Sequence, residues 1–292
     1  MTMNTETHRF KVGNFECMAV SDGTFAYPDH SFFVNAPKER LEQVLREHNI
    51  QPGEIITPWT CLLVNTGRQR VLVDTGGGPE ATRLVPSVGK LLQNLEAKGI
   101  EPGDIDVVIL THGHPDHIGG NTDAEGKPAF PKARYVMWKD EWEFWTSEPN
   151  LGQLAVEESL KQLMLTFARS NLPPIEGQLD LVDRETEVVP GIRTVAAPGH
   201  TPGHMALAIS SGGKQLLCIS DALLYPIHME QADWYPAFDL VREQAMVTKR
   251  QLMDRAAAEK ALVLAFHFPF PGLGHVIRRG DGWQWQPIET MA

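Results

Sequence analysis

Apolar residues along this chain fall into runs of two kinds. Short apolar or alternating runs at residues 12–20, 61–65, 71–74, 105–111 and 133–138 predict strands. Further strands are expected near 180–189, 192–196, 205–210, 215–220, 262–266, 275–279 and 283–286. Apolar residues at helical spacing predict helices between them. Residues 37–48 open on a proline at the first helical position and place Leu41, Val44 and Leu45 on one face. Residues 86–98 are stopped by Gly99, residues 156–170 carry the stripe Leu160, Leu163, Met164 and Phe167, and 239–260 form a long helix. Strands, helix, strands, helix, repeated twice, predict an α/β fold of αββα type: two sheets face to face with helices outside. No repeat or linker interrupts the pattern, so residues 1–292 are expected to form one domain. Residues 139–178 read as a helical, aromatic-rich insertion that could form a lid.

Composition narrows the function. The net charge of −11 argues against nucleic acid or an anionic membrane as partner, because phosphate binding relies on a basic surface. Cys17, Cys61 and Cys218 are odd in number and lack zinc spacing, so they are expected to be buried and free. The polar stretch 1–10 lacks the apolar core of a signal peptide, and no run of about 18 apolar residues stands anywhere; a cytoplasmic protein is the expectation.

The chemistry concentrates at residues 111–120, Thr-His-Gly-His-Pro-Asp-His-Ile-Gly-Gly. A predicted buried strand ends there and delivers His112, His114, Asp116 and His117 to one turn. Imidazole and carboxylate suit zinc, iron, cobalt and manganese. Neighbouring side chains diverge in extended chain, so one ion cannot easily take all four, and a dinuclear site is suggested.

His112-x-His114-x-Asp116-His117 resembles the signature of the metallo-β-lactamase-fold hydrolases. Ala197 to His204, Ile219-Ser220-Asp221 and Ala265 to Gly272 resemble later blocks of that family in the expected order, and Val71 to Gly76 its early strand and glycine turn. The closing stretch His267-Phe268-Pro269-Phe270-Pro271-Gly272 resembles the branch containing methyl parathion hydrolase and related lactonases. The resemblance implies two mostly antiparallel sheets. It implies that His112, His114 and His200 hold one metal, Asp116, His117 and His267 a second, and that Asp221 bridges them. Two divalent ions are implied, zinc first, with iron, cobalt or manganese as alternatives. Such ions, about 3.5–4 Å apart, can hold a hydroxide with its pKa lowered to near 7. Asp116 has a second candidate role in moving a proton to the leaving group.

Around this set, Asp74 is expected to orient a loop histidine, and His204 to be a buried structural residue. Thr111 and Thr201 are expected to tie the ligand loops. Related lactonases carry a tyrosine three residues after the bridging aspartate. Here Leu224 stands at that position and Tyr225 one further, so Tyr225 is the oxyanion candidate. Phe25, Tyr27, Phe32, Phe33, Trp142, Trp145, Trp234 and Phe270 are candidate walls of an apolar pocket, and His275 either supports the site or opens the next strand. The expected partner is a small apolar lactone, aryl ester or phosphotriester, and the resembling branch implies a homodimer. A glyoxalase II-like thioesterase is the alternative, although no basic cluster stands near the C-terminus. A β-lactamase, a di-iron redox protein and an inactive scaffold fit less well, given Asp221, the absence of a flavin domain and the intact ligand set.

Overall fold

The computed structural model describes residues 6–289; residues 1–5, the first half of the polar N-terminal stretch, lie outside the described residues. Two seven-stranded sheets pack face to face, each with its strands in sequence order. The first holds β1 (Thr7–Val12), β2 (Phe15–Pro28), β3 (Glu54–Asn65), β4 (Arg70–Val73), β5 (Val107–Ile109), β6 (Arg134–Trp138) and β7 (Leu179–Val182). The second holds β8 (Glu187–Val189), β9 (Ile192–Ala196), β10 (Met205–Ser211), β11 (Lys214–Ser220), β12 (Leu262–Ala265), β13 (Leu273–Arg279) and β14 (Gly282–Pro287). Helices flank them: α1 (Asp29–Phe32), α2 (Lys38–Glu47), α3 (Gly78–Leu84), α4 (Leu91–Glu96), α5 (Pro115–Ile118), α6 (Lys139–Thr146), α7 (Glu158–Asn171), α8 (Ile227–Glu230) and α9 (Arg242–Glu259). Among the described residues no helix is long and apolar enough to cross a membrane.

The central strands of both sheets are buried on both faces, which is why they read as continuous apolar runs. In β2, Cys17 and Ala19 face the second sheet, while Met18 and Val20 face the helices. The inter-sheet layer is completed by Leu62, Val64, Val71, Val73, Met205, Leu207, Ile209 and Leu216. On the far side of the second sheet, α9 buries Leu252, Met253 and Ala256 against Leu217, Val263 and Val276.

The sandwich matches the expectation; its details differ where a turn residue or a carboxylate competes with the periodic pattern. The sheets are mixed, since β4 to β7 pair in parallel and so do β11 and β12. The expected strand 12–20 is broken at a hairpin where Gly13 takes φ +58°. The expected helix 86–98 begins only at Leu91, because Gly89 takes φ +75° and Asp22 accepts the N–H groups of Gly77, Gly89 and Leu91. The expected strand 180–189 is two, and the chain changes sheets between β7 and β8. The long helix starts at Arg242, because Leu240 and Val241 instead donate to the carbonyls of His200 and Gly199.

β4 and β5 run in parallel in one sheet, as do β11 and β12 in the other. Their carboxyl ends meet at one edge of the sandwich. β2 and β3 extend past that edge as a ribbon, with Phe25 opposite Thr57 and Tyr27 opposite Ile55. The expected insertion folds as α6 and α7.

Candidate metal centre

Each strand end at this edge delivers part of one buried cluster. Asp74 follows β4, His112 and His114 follow β5, His200 sits between β9 and β10, Asp221 follows β11, and His267 follows β12. Asp116 and His117 come from α5, which begins at Pro115. All seven predicted ligand side chains come together, in the grouping that the resemblance implied: His112, His114, His200 and Asp221 in one set, Asp116, His117 and His267 in the other.

In the first set, His114 Nδ1 lies 3.0 Å from both His112 Nε2 and His200 Nε2. Asp221 Oδ2 lies 3.4 Å from His200 Nε2 and 3.2 Å from His267 Nε2, while its Oδ1 lies 3.4 Å from His117 Nε2. Asp221 therefore faces both sets. Asp116 Oδ2 closes the second, 3.3 Å from His267 Nε2 and 3.8 Å from His117 Nε2.

On His117, His200 and His267 the outer ring nitrogen is spoken for, whereas His114, whose Nδ1 faces the cluster, leaves its outer Nε2 without a hydrogen bond. His117 Nδ1 donates to Asp74 Oδ2 at 2.8 Å, His200 Nδ1 donates to Asp239 Oδ1 at 2.9 Å, and Thr57 Oγ1 lies 3.4 Å from His267 Nδ1. These partners leave the Nε2 of each of the three rings turned into the cluster. Asp74 also accepts the backbone N–H and hydroxyl of Thr111, tying the ends of β4 and β5 together.

Burial, then the facing imidazoles, pushes His112 and His114 well below the usual histidine range. Burial acts the same way on the other three rings, but carboxylates outweigh it. Asp221, Asp74 and Asp116 lift His117 well above that range. Asp221 and Asp239 lift His200 to about 9, and Asp221 and Asp116 lift His267 to about 9. Burial alone would raise the two cluster aspartates; His117 and His267 instead hold Asp116 below, and Asp221 well below, the usual carboxylate range. His117 Nε2 and Asp221 Oδ1 are buried without a hydrogen bond. Orphaned buried polar atoms are costly, and a cation between the converging imidazole and carboxylate atoms would satisfy them. The donor set fits two divalent metal ions.

His204 is buried with both nitrogens occupied: Nδ1 donates to the Ala197 carbonyl and Nε2 accepts the Asp221 N–H. It fixes the backbone of Asp221 and has no atom left for a metal. Tyr225 is buried against Phe32 and does not line the cavity over the cluster. The one-residue offset from the expected position turns it into the core. That cavity holds about 520 Å³. Phe25, Tyr27 and Phe32 line it with His114, Asp116 and His267. Phe33, Trp145 and Trp234 are core residues instead, Trp142 packs against that core, and Phe270 stays outside the lining. The ring of His275 is hydrogen-bonded to the Ala261 carbonyl and takes no part in the cavity. The stripe of α7, Leu160, Leu163, Met164 and Phe167, forms an apolar wall.

Sequence reasoning missed three residues that shape the site. Asp239 stands at the predicted start of a helix, and Thr57 lies in a segment with no predicted element. Glu141, on the first turn of α6, is fully buried and accepts four hydrogen bonds: from Gly113 N and Trp145 Nε1 on Oε1, and from Thr201 Oγ1 and Gly203 N on Oε2. Burial still raises its pKa against those four donors. The knot ties the two histidine loops to each other. Its closeness explains two glycines: a Cβ on Gly113 would lie 2.3 Å from Trp145, and one on Gly203 2.3 Å from the Glu141 backbone. A lone acidic residue in an amphipathic helix carries no sequence signal for this role.

Comparison with known proteins agrees with the geometry. The pattern of the metallo-beta-lactamase superfamily matches residues 58–267. The chain belongs to this superfamily. It is 29% identical over 255 residues to an N-acyl homoserine lactonase of a Bacillus species, covering 81% of this chain and 92% of the relative. The N-acyl homoserine lactonase AiiA of Bacillus thuringiensis subsp. kurstaki is 28% identical over the same shares. Among solved structures, the dizinc quorum-quenching lactonase AidC in complex with a product superposes with a TM-score of 0.89 at 28% identity over 98% of each chain. The hydrolase AbOPH shares the fold, with a TM-score of 0.89 at 24% identity over the full length of both.

Proposed function

We propose that this metal-dependent hydrolase opens the lactone ring of N-acyl homoserine lactones, with aryl esters and phosphotriesters as secondary substrates, and that zinc is its resident ion. The observation that carries the reading is the placement of the seven-residue cluster on the floor of an apolar cavity of about 520 Å³. That volume lies within the roughly 300–1,000 Å³ of small-molecule sites. The lining includes no lysine or arginine among the described residues. An uncharged acyl chain suits such walls; the anionic conjugate of a glyoxalase II-like thioesterase does not.

His112, His114 and His200 would hold one ion, Asp116, His117 and His267 the other, with Asp221 shared. Two divalent ions there supply Lewis acidity and a water acidified to near-neutral pKa. The protein's own groups do the rest. The apolar walls take up the acyl chain and exclude bulk water from the reacting carbonyl. Asp116, which lines the cavity, takes a proton from the attacking water and hands it to the departing ring oxygen. Water adds to the carbonyl carbon, the ring C–O bond breaks, and the product is a hydroxy acid that releases one proton at neutral pH.

The test is proton release from a medium-chain N-acyl homoserine lactone by zinc-loaded protein, with Asp221→Ala as control. Rapid release that disappears in Asp221→Ala, together with lowered metal content, is expected. Equal activity in that variant would refute the assigned centre, and no release from lactone by the native protein would remove the proposed substrate.

A further inference from the structure

Ester hydrolysis builds negative charge on the carbonyl oxygen, and a neutral hydrogen-bond donor aimed at that oxygen accelerates it. Tyr225 does not reach the cavity. A different tyrosine does, and it comes from the other sheet. Tyr27 stands on the part of β2 that extends past the sandwich edge, and its ring lines the cavity beside Asp116 and His267. The ring is held on several sides: Phe25 at 4.6 Å, Phe32 at 5.1 Å, Phe238 at 5.8 Å and His267 at 6.1 Å between centroids. Trp59 Nε1 donates to Tyr27 Oη at 3.1 Å. Among the described residues this is the only hydrogen bond of that oxygen. An indole N–H can only donate, so the bond occupies a lone pair and leaves the phenolic hydrogen free.

We propose that Tyr27 is a catalytic residue that donates its phenolic O–H to the substrate carbonyl oxygen as that oxygen becomes negative, with Trp59 as the positioning residue that orients it. This rests on the hydrolase reading above. A phenol of ordinary acidity, with a pKa of about 10, is protonated at neutral pH and can donate. The sequence hides the pairing, because Tyr27 and Trp59 come from opposite strands of the ribbon, 32 positions apart.

Tyr27→Phe keeps the ring and removes Oη. With zinc-loaded protein of wild-type melting temperature and metal content, kcat should fall roughly 10- to 100-fold on a homoserine lactone and on a 4-nitrophenyl ester alike, with KM within about threefold. Trp59→Phe should give a smaller fall in kcat, and Tyr225→Phe a change below about twofold. A kcat for Tyr27→Phe within twofold of native overturns the proposal, as does a loss confined to the lactone, which would mark a proton donor to the leaving group. A second readout needs no turnover. Calorimetric affinity for a methyl alkylphosphonate, which carries negative charge on a tetrahedral centre, should weaken at least tenfold in Tyr27→Phe. Unchanged affinity overturns the role even if the native protein hydrolyses none of these esters, an outcome that would reject only the substrate class.

Discussion

Replacing Glu141 by glutamine tests whether the two histidine loops depend on one buried carboxylate. The side chain keeps its shape but exchanges one acceptor oxygen for an NH2 group. Four donors now meet the carboxylate at 2.7–2.8 Å. The Thr201 hydroxyl can rotate to accept from the new NH2; the N–H of Gly203 beside it cannot. At least one buried donor is orphaned, and two N–H groups confront each other. An orphaned buried donor costs about 1–3 kcal/mol, and the confrontation adds to that. Release from burying a charge offsets part, leaving a loss of about 2–4 kcal/mol. At about 2 °C per kcal/mol for a chain of this length, the melting temperature should fall roughly 4–8 °C. The loops carrying His114 and His200 should loosen as well, weakening metal binding about 10-fold or more. Scanning calorimetry and competition with a chromophoric chelator read the two effects. A shift below 1 °C with native metal affinity would show that the knot holds nothing in place.

Two further outcomes follow from groups behind the centre. Asp239→Asn keeps an acceptor for His200 Nδ1, 2.9 Å away in the native protein, but removes the charge, so metal affinity measured by chelator competition should drop about 10-fold; native affinity would show that the charge is idle. His228, hydrogen-bonded to the Phe32 carbonyl, is lowered to about 3 by burial and then by Lys249. Its folded pKa lies below the unfolded value, so the unfolded chain takes up a proton first as pH falls. The stability associated with neutral His228 is present above about pH 6.5 and is lost towards pH 3, at up to about 1.4 kcal/mol per pH unit. His228→Gln should flatten the denaturation midpoint between pH 7 and 5 relative to native protein, and identical slopes would contradict this.

The metal ligands were legible because they are contiguous or sit in short blocks directly behind apolar strands. The central strands were legible because both faces are buried. What escaped has a common cause. Asp22, Thr57, Glu141 and Asp239 act across 39 to 210 positions of sequence, with the bonds of Glu141 to Gly113 and Trp145 the shorter reach within one knot, and a single polar residue announces no distant partner. Helix 86–98 failed for a related reason: its first turn is pre-empted by a carboxylate on β2 and by the left-handed Gly89. The aromatic candidates divided by face. Phe25 and Tyr27 alternate with exposed neighbours on the ribbon and reach the cavity, whereas Phe33 and Trp234 belong to the helical layer. Tyr225 shows how much one position matters: Leu224, one residue earlier, lines the cavity that Tyr225 misses.

The carboxylates around the centre have a consequence for how the protein exchanges its ions. Asp74, Asp116, Asp221 and Asp239 place four negative charges among or directly behind the imidazoles, and two divalent cations bring four positive charges to match. Without the cations, protons do the balancing, on His117, His200 and His267, the three rings lifted above the ordinary histidine range. Metal and hydrogen ions are thus competitors for the same atoms. Loading near neutral pH expels protons, up to about three for a full centre, and each one makes ion retention steeper by about tenfold per pH unit. Acid therefore loosens the ions by protonating the atoms that hold them.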